Sequence, residues 1–225
     1  MEKRLLAGKT VELCISPQEG VPLVLLHTVH GEGRQVYEAV GRLTKTAFSF
    51  AAIDGLQWDD DMSPWPIPPV AEGEPPCTGG ADAYLAELTE MILPEILQKL
   101  PGQPAYIALS GYSLAGIFAL YAMYRTDLFG RIASVSGSLW YPGFLRFAQS
   151  QKMKRVPECI YFSLGDKEAR TRNKVLQPVE ENTRLLKDYY EGKGISAVME
   201  MNPGNHFTDD IDRTAKGICW ILSQG

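Results

Sequence analysis

Short apolar runs alternate with longer amphipathic stretches along this 225-residue chain. The runs at 10–16 (TVELCIS), 22–27 (PLVLLH), 47–54 (AFSFAAID), 105–110 (AYIALS), 132–137 (IASVSG), 159–165 (CIYFSLG) and 196–202 (SAVMEMN) have the length and β-branched content of strands. Several are apolar at almost every position, which is the pattern of strands covered on both faces in a parallel sheet. Between them, 34–44, 80–99, 114–125, 142–150, 178–191 and 208–222 read as helices. In 80–99 the residues Tyr84, Leu85, Leu88, Ile92 and Ile96 recur at three- and four-residue spacing, and Pro101 with Gly102 stops the segment. Pro94 falls inside it and predicts a kink. Strand and helix alternating in this way predict right-handed crossovers and an open, mostly parallel α/β sheet with helices on both faces.

One segment breaks the rhythm. Residues 56–80 (LQWDDDMSPWPIPPVAEGEPPCTGG) are rich in Pro, Gly and acid and show no period, so they are expected to form an irregular loop near a binding site. No repeat and no second boundary is visible, and the length suits one domain spanning 1–225. A net charge of -5 supplies no basic face for nucleic acid. No run approaches the length of a membrane helix, and the charged start MEKRLLAGK lacks the apolar stretch of a signal peptide. Cys14, Cys77, Cys159 and Cys219 are widely spread and form no CxxC pair, which argues against a disulfide framework or a zinc site. The expected location is therefore cytoplasmic, with reduced thiols.

The chemistry is concentrated where YIALSGYSLAGIFALYAMY passes from strand to helix. Ser113 can be read there as a helix N-cap or as a nucleophile on a sharp strand-to-helix corner. Gly111, Ala115 and Gly116 keep that corner small, as a close approach of strand and helix requires, and the Leu114 amide would face a developing oxyanion. A serine nucleophile needs a base. Of the three histidines only His206, in NPGNHFTDD, follows Ser113 in the order that this architecture uses. The loop YFSLGDKEARTRNK offers two acids, Asp166 and Glu168, either able to orient the imidazole. A second oxyanion donor is expected from the amide of Thr28 or Val29, with His27 structural at the strand end. Trp58 and Trp65 are candidate walls of the substrate site. Arg170, Arg172 and Lys174 are expected near its rim, either favouring anionic or aromatic-hydroxyl esters or forming a solvated loop.

The segments LVLLHTVHGEG, WDDDMSPWP, SGYSLAGIFALYA, YFSLGDKEAR and NPGNHF, in this order and spanning nearly the whole chain, resemble the α/β-hydrolase fold. Within it they are similar to the esterase branch that includes esterase D and the enterobactin-type siderophore esterases. The resemblance implies an α/β-hydrolase sheet without a cap domain and a serine carboxylesterase that uses no metal or organic cofactor. It implies a small-molecule ester as the substrate, and a homodimer stays open. The family's acid often stands three residues after the glycine of the penultimate loop, which carries over to Glu168, although some siderophore-esterase relatives work with a Ser–His pair. An acyltransferase or thioesterase with the same triad, and a binding protein that has lost activity, are the alternatives.

Overall fold

A computed structural model describes residues 1–225. Eight strands form one sheet in the order β1-β2-β4-β3-β5-β6-β7-β8. They are β1 (Glu2–Leu6), β2 (Lys9–Cys14), β3 (Leu23–His27), β4 (Ser49–Asp54), β5 (Ile107–Tyr112), β6 (Phe129–Val135), β7 (Cys159–Gly165) and β8 (Ser196–Asn202). From β4 to β8 across the sheet all neighbours are parallel, and β1 and β2 are antiparallel additions at one edge. This is the expected α/β-hydrolase sheet. β3, β6 and β7 are buried at every residue; β3 and β7 are nearly continuous apolar runs, whereas β6 carries Arg131, which is paired with Glu158 at 2.8 Å.

The helices are α1 (Gly33–Leu43), α2 (Trp58–Asp61), α3 (Ala81–Glu87), α4 (Leu93–Leu97), α5 (Leu114–Ala122), α6 (Phe144–Ser150), α7 (Val179–Glu191) and α8 (Asp210–Ser223). α1 and α8 cover one face of the sheet around Val24, Phe50, Ala133 and Tyr161. The others cover the opposite face in a larger core around Leu25, Phe118, Ile132 and Phe162. No helix is long and apolar enough to cross a membrane. All four cysteines are free thiols.

Three features differ from the sequence reading. β1 has no apolar alternation, because it is an exposed edge strand; Leu5 is 74% exposed. Its pairing comes from the tight turn at Ala7 and Gly8, both with positive φ. Pro94 stands at the start of α4, and the expected kink is instead a change of winding: Leu88–Ile92 adopt π-helical turns before it. The 56–80 segment is not wholly irregular. It holds α2, an antiparallel bridge between Ile67 and Cys77, and a buried ion pair of Asp61 with Lys9 at 2.7 Å.

Candidate active site

The parallel sheet brings its strand ends together at one edge, and the corner after β5 stands there. Ser113 has φ 57° and ψ -121°, a strained backbone for a residue with a side chain. A Cβ on Gly111 would lie 2.4 Å from the Ala115 backbone, so only glycine allows strand and helix to close so tightly. The Ser113 side chain makes no capping bond to α5, which removes the N-cap reading. Its Oγ points instead to His206 Nε2 at 3.0 Å, with the Ser138 hydroxyl 3.3 Å away. The Leu114 amide, first of α5, has no backbone acceptor.

His206 Nδ1 lies 2.7 Å from Glu168 Oε2, and the Glu168 side chain is 4% exposed. Burial alone would raise the Glu168 pKa. The hydrogen bond and charge of His206, the Gly165 amide and the Ser136 hydroxyl outweigh that and hold it below its ordinary value. The second candidate acid does different work: Asp166 Oδ1 accepts the Gly204 amide at 2.8 Å and ties the His206 loop to the end of β7. The two acids that the loop offered are thus separated by geometry.

Two cavities, of about 280 and about 400 Å³, meet at Ser113 and His206. Trp58 and Phe207 line both, and Phe207 is 87% exposed. The smaller is walled by Val29, Glu32, Val36, Tyr112 and Ile211; the larger by Asp59, Val70, Glu74, Trp140 and Leu176. No lysine or arginine lines either one.

Several expected site residues are placed elsewhere. The Thr28 amide is engaged by the Ile53 carbonyl at 2.9 Å and belongs to the sheet, so it is not free for an oxyanion. The Val29 amide borders the smaller cavity, where the Glu32 carboxylate accepts it at 3.2 Å and the His30 amide at 2.8 Å. Trp65 lines neither cavity. Its indole donates to the Pro142 carbonyl at 3.0 Å and its ring packs against Tyr141, Phe144 and Phe147, pinning the 56–80 segment. Arg170 and Arg172 are exposed and border neither cavity. The chain after Glu168 turns toward the 56–80 segment through Asn173, whose amide donates to the Val70 carbonyl at 2.7 Å. His27 holds its loop by packing alone, with both ring nitrogens lacking a hydrogen-bond partner.

Sequence reasoning missed Tyr112, Ser138, Trp140, Phe207 and Arg213. The Tyr112 hydroxyl donates to the His206 carbonyl at 2.7 Å. Two of these left a signal. Phe207 is an isolated aromatic in a polar loop, and Arg213 interrupts the apolar stripe of α8 formed with Gly217, Ile218 and Ile221.

A family model described as "Putative esterase" matches residues 18–208. A curated relative, the uncharacterized protein YbbA of Bacillus subtilis (strain 168), is 24% identical over 140 residues, covering 61% of this chain and 56% of that protein. Among solved structures, the siderophore hydrolase EstA from Aspergillus nidulans superposes with TM-score 0.72 at 18% identity, covering 95% of this chain and 89% of EstA. An IroE-like serine hydrolase from Shewanella oneidensis gives TM-score 0.73 at 17% identity over 94% of this chain and 74% of the other. The BES protein from Bacillus cereus gives 0.67 at 17% identity, over 100% and 95%. At these identities the structural likeness speaks for the fold.

Proposed function

The chain belongs to the "Putative esterase" family, and on that premise we propose that it is a serine hydrolase of small-molecule carboxylic esters. The observation that carries the reading is the unbroken relay Ser113–His206–Glu168, at 3.0 and 2.7 Å, placed where two cavities meet. In the working tautomer His206 donates Nδ1–H to Glu168 and accepts the Ser113 hydroxyl proton at Nε2. Ser113 Oγ attacks the acyl carbon, and the carbonyl oxygen becomes an oxyanion held by the free Leu114 amide. The Val29 amide joins it by giving up its bond to Glu32. His206 then passes its proton to the leaving alcohol, and water releases the acyl group by the same steps in reverse.

Two cavities leave room for an acyl part on one side of Ser113 and an alcohol part on the other. Their aromatic and aliphatic walls favour apolar or aromatic groups. Their ionisable lining groups other than His206 include the carboxylates Glu32, Asp59, Glu74 and Asp210 and no cationic Lys or Arg, so neutral or cationic esters are favoured over anionic ones. Siderophore-type esters belong in the test set because EstA is described as a siderophore hydrolase.

A fluorophosphonate probe should label wild type at Ser113 and leave Ser113→Ala unlabelled. A panel of short- and long-chain nitrophenyl esters, feruloyl esters and a catecholate siderophore ester should then show hydrolysis by wild type alone. Equal hydrolysis by both proteins would overturn the serine mechanism.

A further inference from the structure

Arg213, in the first turn of α8, is 1% exposed. Stripping a guanidinium of water is costly, so it persists in an interior only where acceptors and an opposite charge replace the solvent. Here the replacements surround the Ser113–His206–Glu168 relay. Nη1 lies 3.3 Å from Glu168 Oε1, on the carboxylate oxygen that does not face His206. It is also 3.1 Å from the Asn205 carbonyl, 3.3 Å from the Tyr112 hydroxyl and 3.4 Å from Ser136 Oγ. Nη2 donates to the Pro203 carbonyl at 2.7 Å. Pro203 and Asn205 belong to the loop that carries His206, and Tyr112 binds the His206 carbonyl itself. Space has been left for this: a Cβ on Gly165 would stand 3.0 Å from Nη1 and 2.5 Å from the Gly204 carbonyl.

We infer that Arg213 is a positioning residue, which holds Glu168 ionised and fixes the His206 loop from behind the relay. The inference rests on the serine-hydrolase reading of the site. It goes beyond that reading in assigning part of the relay's electrostatics to a side chain that touches neither the nucleophile nor the cavities.

The sign of the effect follows from charge. Acid stops a serine–histidine relay by supplying the proton that the base must be free to take, and activity is lost with it. A neighbouring positive charge opposes that uptake. Removing it moves the acid limb of the activity upward, whichever atom carries the proton. The other titratable groups around the assembly stay in place. These include Asp166 on the Gly204 amide, Tyr112 on β5, Tyr161 on β7 bonded to Glu200 of β8, Lys216 paired with Glu200, and the cavity residues His30, Glu32 and Asp210.

The test is the pH dependence of the rate at which a fluorophosphonate labels Ser113, read for wild type, Arg213→Met and Arg213→Lys. Arg213→Met should move the acid limb upward by about one pH unit and slow labelling on the plateau. Arg213→Lys should leave the limb near its wild-type position, because the charge is kept, while still slowing labelling, because an ammonium cannot span Glu168 and both carbonyls. An unmoved limb in folded Arg213→Met overturns the inference. A wild type that is not labelled overturns the serine reading instead. If Arg213→Met does not fold, Glu168→Gln/Arg213→Met is compared with Glu168→Gln, a pair that removes the two buried charges together. A further slowing no larger than that from Arg213→Lys in the intact relay is expected, because only the loop contacts are then left to lose, and a loss about tenfold beyond that overturns it.

Discussion

His27 ends β3 and His206 follows β8, so both stand at the carboxyl edge of the same sheet, yet their surroundings share almost nothing. His206 keeps 28% of its side chain exposed and has a polar partner on each ring nitrogen, Glu168 on one side and Ser113 on the other. His27 is sealed between Tyr84 and Phe118, which meet its ring edge-on at 5.4 and 5.2 Å. Burial pushes its pKa down to about 3, so it stays neutral across the physiological range. The difference teaches that a histidine becomes a base through its partners. The imidazole of His27 has packing and no hydrogen-bond partner; that of His206 has a donor, an acceptor and solvent nearby.

The strongest way to break this contrast is to delete each partner of His206. Ser113→Ala and His206→Ala should each lower kcat by about 10⁴-fold or more, and the double variant should be hardly worse, because in the proposed mechanism nucleophile and base act as one unit. Circular dichroism should show both folded. A His27 substitution that abolished labelling of Ser113 while His206→Ala did not would reverse the assignment of the two histidines.

Glu168→Gln comes next. A Gln amide no longer stabilises the imidazolium and can favour the wrong tautomer, so kcat should fall by roughly 10²- to 10⁴-fold. Asp166→Asn keeps an oxygen to accept the Gly204 amide and should cost little. Similar small losses at both positions would make the centre a Ser–His pair without a working acid.

The wet side of the comparison has a charge preference that the dry side cannot have. With matched esters, kcat/KM should rank cationic above anionic by roughly tenfold at low salt, and the gap should shrink as salt screens it. Asp59→Asn with Glu74→Gln should narrow the gap. Burial, followed by the charge of Glu74, already raises the Asp59 pKa, the mark of a carboxylate without a cation beside it. Arg170→Ala with Arg172→Ala should leave the ranking unchanged; a selective rise in KM for the anionic ester would put those arginines back at the site.

The smallest effect belongs to His27 and appears in stability. Its pKa is about 3 in the folded protein, against the ordinary imidazole value of 6.5 that the unfolded chain restores. Between these values the unfolded state binds more protons, so stability rises with pH. His27→Leu should remove that component. Between pH 7 and pH 5 the variant should lose about 2 kcal/mol less than wild type in denaturant titrations, with little change in kcat. An identical pH dependence in both would mean that the His27 ring is hydrated and can charge.

Much of the fold was legible because periodicity reports burial directly. The seven apolar strands and the stops at Pro101 and Gly102 follow from local rules, while β1 was missed because an exposed edge strand carries no apolar signature. At the candidate site, the meeting of Ser113 with His206 could be expected because a corner motif and a scarcity of histidines left little choice. Trp65 and Trp58 could not be told apart, since nothing in their own segment says which indole meets Tyr141 and which faces Ser113.

The amino-acid sequence by itself determined the sheet, the corner at Ser113 and the order in which Ser113, Glu168 and His206 follow one another, because these depend on spacing along one chain. Only the tertiary structure sets Glu168 rather than Asp166 beside His206, takes the Thr28 amide into the sheet while the Val29 amide meets Glu32, and fixes where Arg213 points. Each of those choices depends on which groups from distant strands meet within about 3 Å, and the sequence holds the groups without the distances.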